Sequence, residues 1–178
     1  MSVRTFENFT PVLDEGVYVD PSALVVGDVK IGEHSSVWPL VTMRGDVHTI
    51  TVGKRTSIQD GCVVHVTHAG PYSPEGHDCS IGDDVTIGHK AMIHGCTIGN
   101  RCLIGMGSTV MDGATIEDEV VLGAGSIVPP GRVLTSGFLW VGSPARKIRP
   151  LTQEEMDFFE YSAANYVKLK DRHLTDKG

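Results

Sequence analysis

Ile98-Gly-Asn-Arg-Cys-Leu-Ile104-Gly-Met-Gly-Ser-Thr-Val110-Met-Asp-Gly-Ala-Thr-Ile116-Glu-Asp-Glu-Val-Val-Leu122-Gly-Ala-Gly-Ser-Ile-Val128 is the stretch that decides the fold. A long or branched apolar residue returns at every sixth position, and four places after each stands a smaller one: Cys102, Ser108, Ala114, Val120 and Ser126. Glycine follows the apolar residue at Gly99, Gly105 and Gly123. Outward to the C-terminus the beat continues at Leu134 and Trp140. Toward the N-terminus one residue is dropped and it resumes at Ile93, Ile87 and Ile81. Beyond a longer gap it returns at Val64, Ile58 and Val52, and past three extra residues at Met43, Val37, Ile31, Val25 and Val19. A period of six is neither the 2.0 of a strand nor the 3.6 of a helix. It is one short strand plus one turn, and three such units close a triangular coil of about 18 residues. The apolar anchor fills the interior, the small residue fits the crowded corner, and glycine permits the turn.

The composition agrees. Aromatic residues make up 6% of the 178 residues while 21 are glycine, which suits an all-β fold with a narrow interior and many turns. A net charge of −7 leaves no electrostatic footprint for nucleic acid. No apolar run approaches the roughly 18 residues of a membrane span. The N-terminal segment MSVRTFENFTPVL lacks the apolar stretch of a secretory signal, so a cytoplasmic protein is expected. Cys62, Cys79, Cys96 and Cys102 form no CxxC pair and read as free structural thiols.

After the coil the spacing turns helical. Thr152 and Glu155 form a capping box, Leu151 and Met156 a hydrophobic staple, and Met156, Phe159, Ala163 and Tyr166/Val167 follow one face. The chain thus divides into a β-helix over 1–150, with an inserted loop at about 70–80, and a C-terminal helix and tail over 151–178. The helix reads as a strap or a contact between subunits.

The repeat gives every residue an address. His65 and His94 each follow an anchor and, counted in coils, stack on one face about 4.8 Å apart. Because side chains alternate along a strand, both point outward. Counting back one coil places Arg44 at the head of the same column. His89 lies on the neighbouring face, two positions after Ile87; directly beneath it is Asp60, with Gln59 beside Asp60. Within one rigid prism His89 faces away from the other two, but threefold packing would bring it against His65 and His94 of the next copy. Three imidazoles with an open position suit a borderline divalent cation. An interface network of polar side chains is the competing account of the same addresses.

The segments Arg44-Gly45-Asp46, Gln59-Asp60-Gly61-Cys62-Val63-Val64-His65 and Gly88-His89-Lys90-Ala91-Met92-Ile93-His94-Gly95 resemble the γ-class carbonic anhydrases of the hexapeptide-repeat family. The likeness runs from about Thr10 to Pro150. It implies a left-handed parallel β-helix, a hand that the general preference for right-handed crossovers would not have chosen. It implies a homotrimer with one Zn2+ (or Fe2+ or Co2+) per interface, held by His65 and His94 of one subunit and His89 of the next. It further implies that Arg44 and Asp60 pair across the interface and that Asp46 and Gln59 hydrogen-bond near a metal-bound water. Its hydroxide form would hydrate carbon dioxide, a small-molecule substrate, to bicarbonate. Two departures stand out. The family's best-known type carries glutamates where this chain has Val47 and His68. His68 is a candidate proton relay, with Glu75 and His77 of the inserted loop as others. His34, His48 and His173 have no place in the scheme and are expected at the surface, and Cys79 is given no metal role. Acyl transfer, thioester hydrolysis and a non-catalytic trimer stapled by metal are the competing functions.

Overall fold

The computed structural model describes residues 2–176; the end of the 151–178 tail, residues 177–178, lies outside the described residues. Each short strand pairs in parallel with its equivalent one coil away. Ile87 lies between Ile58 and Ile104, and Ile116 between Ile98 and Leu134. Every anchor from Val25 to Leu134 is within 2% of complete burial, so one continuous stack of aliphatic side chains fills the triangular bore. Val19 and Trp140 close its ends less tightly.

The small residues after the anchors have a second task besides fitting the corner. Ser35 and Thr56 donate their hydroxyls to the carbonyls of Gly53 and Gly82, each at 2.7 Å, and the Cys62 thiol donates to the carbonyl of Gly88 at 3.1 Å. The Gly88 carbonyl also accepts the Ala91 N–H at 3.3 Å. All four cysteines are buried and unpaired.

The irregular beat has a structural cause. The strand Thr42–Val52 runs around a corner instead of breaking there. Its first residues pair with Val63–His65 and its last with Cys79–Ile81, which joins two faces into one 12-stranded sheet. The inserted loop begins earlier and ends earlier than the composition suggests. Thr67 and His77 exchange two backbone hydrogen bonds of 2.9 Å and close its base, while Cys79 and Ser80 are already back in a strand.

At the far end Phe138–Gly142 turns back on an antiparallel strand, Ala145–Pro150. The helix Gln153–Thr175 follows. Its start is fixed by the expected reciprocal cap: Glu155 N–H donates to Thr152 Oγ1 at 3.2 Å and Thr152 N–H to Glu155 Oε2 at 2.9 Å. The helix buries Phe159, Ser162 and Ala163, lies against the face built from Tyr18–Val19, Ser36–Val37 and Thr86–Ile87, and joins Ser162 to Thr86 through their hydroxyls at 2.8 Å. Among the described residues no helix is long and apolar enough to cross a membrane.

Candidate metal centre

The register places Arg44 opposite His65, and His65 opposite His94, on three successive strands. Their preceding anchors Met43, Val64 and Ile93 are wholly buried, so the column projects outward. The two imidazole rings lie 5.1 Å apart between centroids, with Nδ1 of His65 3.1 Å from Nε2 of His94.

The remaining ring nitrogens each meet a carboxylate. His65 Nε2 is 3.1 Å from Asp46 Oδ1, and the other oxygen of Asp46 accepts from the Arg44 guanidinium at 2.5 Å. His94 Nδ1 is 2.5 Å from Asp112 Oδ1, whose second oxygen accepts the Thr67 hydroxyl at 2.7 Å. When both outer nitrogens donate to these carboxylates, the facing nitrogens present lone pairs to each other at 3.1 Å, an arrangement that a shared cation relieves. A tetrahedral zinc with Zn–N bonds of about 2.0–2.1 Å sets its ligand nitrogens about 3.3 Å apart. The pair therefore fits one ion.

Electrostatics favour the same neutral state for His65. Burial, the Arg44 charge and His94 together push the His65 imidazole below its ordinary value, against the pull of Asp46, which keeps it neutral and able to ligate. Burial alone would raise Asp46, but hydrogen bonds from Arg44 and His65 bring it below the usual carboxylate range. Asp112 is likewise pulled down against burial by His94, Thr67 and the nearby His77.

His89 is not with them. It stands half exposed on the neighbouring face with Nδ1 3.0 Å from Asp60 Oδ2. Within the single chain, and among the described residues, no three histidine, cysteine, aspartate or glutamate side chains are grouped to hold a metal ion. Gln59 is buried, and its amide donates to the hydroxyl of Tyr166 on the C-terminal helix. In one chain Arg44 pairs with Asp46, and Asp60 with His89. His68 and Glu75 are exposed on the loop, while His77 is tucked against Gly95 and Gly113. His34 is exposed and lies across Gly16, and half-buried His48 accepts from its neighbour's backbone. His173, though exposed, is engaged, with its ring 5.5 Å from Tyr18 and 5.3 Å from Trp38. Cys79 is sealed in the core.

Three residues near these groups escape a reading of the sequence: Asp112, Thr67 and Tyr166 in its contact with Gln59. Asp112 has a signal. One coil on from Ile93 is Val110, so His94 is followed a coil later by Met111 and then an acid. Nothing in the periodicity marks Tyr166, because which strand faces the helix depends on packing.

The fold and these side chains define a class of protein: a rigid parallel coil that displays paired outward histidines backed by carboxylates, with a third histidine on the adjoining face. Comparison with known proteins is consistent with this. The family model of the bacterial transferase hexapeptide (six repeats) matches residues 95–130. Protein YrdA of Escherichia coli (strain K12) is 52% identical over 99% of this chain and 95% of its own. A Methanocaldococcus jannaschii protein named a probable carbonic anhydrase is 40% identical over 90% of this chain and 96% of its own. The crystal structure of a hexapeptide transferase family protein from Anaplasma phagocytophilum superposes with a TM-score of 0.87 at 40% identity, covering 95% of this chain and 96% of that one. The chain belongs to the γ-class carbonic anhydrase-like family of hexapeptide-repeat proteins, and its coil is the left-handed parallel β-helix of that family.

Proposed function

We propose that this protein is a metal-dependent carbonic anhydrase-like enzyme that hydrates carbon dioxide to bicarbonate at the interfaces of a homotrimer. The observation that carries the reading is the 3.1 Å approach of His65 Nδ1 and His94 Nε2, with each ring's other nitrogen held by a carboxylate. His89 of a neighbouring copy supplies the third imidazole, already oriented by Asp60. Zn2+ is the expected ion, with Fe2+ or Co2+ as alternatives. When bound, such an ion acts as a Lewis acid that lowers the pKa of water to about 7, a value that belongs to carbonic anhydrases generally and is not obtained from this chain.

The chain's residues do the rest. Asp46, fixed by Arg44, holds the His65 ring and borders the reacting region. Gln59, steadied by Tyr166, offers its amide oxygen as an acceptor for a reacting hydroxyl. A groove of about 320 Å³ beside His94, lined by Met92, Thr109, Met111, Asp112 and Pro130, gives a small neutral substrate an apolar approach. His68 at the exposed loop carries protons to solvent.

That same apolar groove, with the transferase relative, favours one second reading: acyl transfer or thioester hydrolysis at this site. A trimer merely stapled by metal is a third. The test is metal content and stopped-flow carbon dioxide hydration on one sample purified without oxygen or chelator, beside His94→Ala. About three ions per trimer, lost in the variant together with hydration, supports the proposal. Stoichiometric metal without hydration moves the search to thioesters or to a structural ion, and no metal in the wild type overturns it.

A further inference from the structure

We infer that Asp112 is the positioning residue of the metal site: it holds the proton of His94 on Nδ1 and so turns the Nε2 lone pair toward His65. The inference rests on the proposed metal-binding reading and deepens it. No periodicity or composition requires an acid at this place, yet the surroundings are built around it.

Asp112 Oδ1 is 2.5 Å from His94 Nδ1, and Oδ2 takes the Thr67 hydroxyl at 2.7 Å, so both oxygens are committed and the carboxylate cannot rotate away. Thr67 is itself fixed, because its backbone exchanges two hydrogen bonds with His77 at the base of the inserted loop. Gly95, next to His94, leaves the space that this arrangement needs. A Cβ there would stand 2.7 Å from Asp112 Oδ1 and 2.8 Å from His77 Cβ. One residue is dropped between Ile93 and Ile98, so the corner after His94 is a residue shorter than the corner after Val110 that carries the acid.

A neutral imidazole carries one N–H, and a carboxylate at Nδ1 selects the tautomer with that N–H directed at it. Ligating histidines gain both orientation and basicity from such a partner, and its removal typically weakens metal binding about 10- to 100-fold. The loop thereby gains an influence on the metal site without contributing a ligand. Any shift of Thr67 is passed through Asp112 to the orientation of His94.

The tautomer is read in the metal-free protein by 15N imidazole spectroscopy at alkaline pH, with the His94 signals assigned by their loss in His94→Gln. Cobalt affinity and the visible cobalt spectrum are measured by titration on the same samples. The wild type is expected to show His94 protonated at Nδ1. Asp112→Asn loses that single tautomer and binds cobalt about 10- to 100-fold more weakly with an altered visible band. Thr67→Val moves both readouts in the same direction by about 2- to 10-fold in affinity, and stands in if Asp112→Asn does not fold. Asp118→Asn, which removes a carboxylate from a distant corner where it accepts from Asn100, serves as a control for general loosening of the coil and leaves both unchanged. An Nε2-protonated His94 in the wild type, or a tautomer and affinity that Asp112→Asn leaves intact, overturns the inference. If the wild type takes up no cobalt, the metal reading fails by itself, and the tautomer still decides whether Asp112 positions His94.

Discussion

Two halves of the same coil obey the six-residue rule to different degrees. From Ile98 to Leu134 the spacing is unbroken, and successive strands superpose in register without an irregularity. From Met43 to Ile98 the rule is broken by the long strand Thr42–Val52, by the loop closed at Thr67 and His77, and by the one residue dropped between Ile93 and Ile98. Arg44, Asp46, His65 and His94 all belong to the broken half, and Asp112 meets them beside the corner that is a residue short. The regular half repeats a solution to burial, whereas the irregular half spends chain on placing particular side chains. The candidate site lies where the local rule gives way.

This contrast can be broken by substitution. Truncation in the regular stack, Ile104→Ala, is expected to cost about 2–5 kcal/mol because the side chain is wholly buried. Metal per folded protein should stay unchanged; equal losses of stability and metal in chemical denaturation and metal assay would dissolve the distinction between halves. A pair of glycine substitutions sharpens it. Gly125 has φ +68 and nothing within 4 Å of where a Cβ would stand, so Gly125→Ala should cost only the left-handed penalty, roughly 1–2 kcal/mol. Gly95→Ala meets Asp112 and His77 as well, and should lose more stability than that and weaken metal binding too. Equal melting losses for the two would show that the close approach at Gly95 is not a constraint.

The smaller effects lie on the helix, outside both halves. Thr152→Ala removes the cap and should cost about 1 kcal/mol in thermal unfolding. Glu155 is held at about 2, below its ordinary 4.5, chiefly by the Arg149 guanidinium and then by the Thr152 backbone. A lowered carboxylate stabilises the fold above its unfolded value, so this contribution is present above pH 4.5 and fades as pH falls toward about 2. Being exposed, the pair contributes little to stability. A helix whose stability in Glu155→Gln keeps the wild-type acid profile would contradict the assignment.

How far the sequence carries the reader follows from the kind of interaction involved. The coil is legible because burial repeats: seventeen anchors from Val25 to Leu134 each report the same interior. The column of Arg44, His65 and His94 is legible because register is counting. Asp112 is harder, since it stands over the one corner that departs from the count. The Gln59–Tyr166 contact is not legible, because a helix packed across a sheet can settle at several rotations that share one apolar face, and only side-chain fit selects among them. The span of the inserted loop departs from expectation for a related reason. Glycine and proline mark where a chain can turn, but the Thr67–His77 backbone pair determines where it leaves the coil.

The strand Ala145–Pro150 bears on a problem of a different kind. A stack of identical rungs exposes the same row of amide and carbonyl groups at its last level, and nothing in a six-residue grammar tells it to stop. Here the final rung of one face is folded over by a segment running in the opposite direction, whose exposed residues include Arg146, Lys147, Arg149 and Pro150. Charged side chains and a residue without an amide proton make a poor template for another chain. On this face the last rung is therefore covered by a reversed strand instead of offering its parallel edge to a further rung.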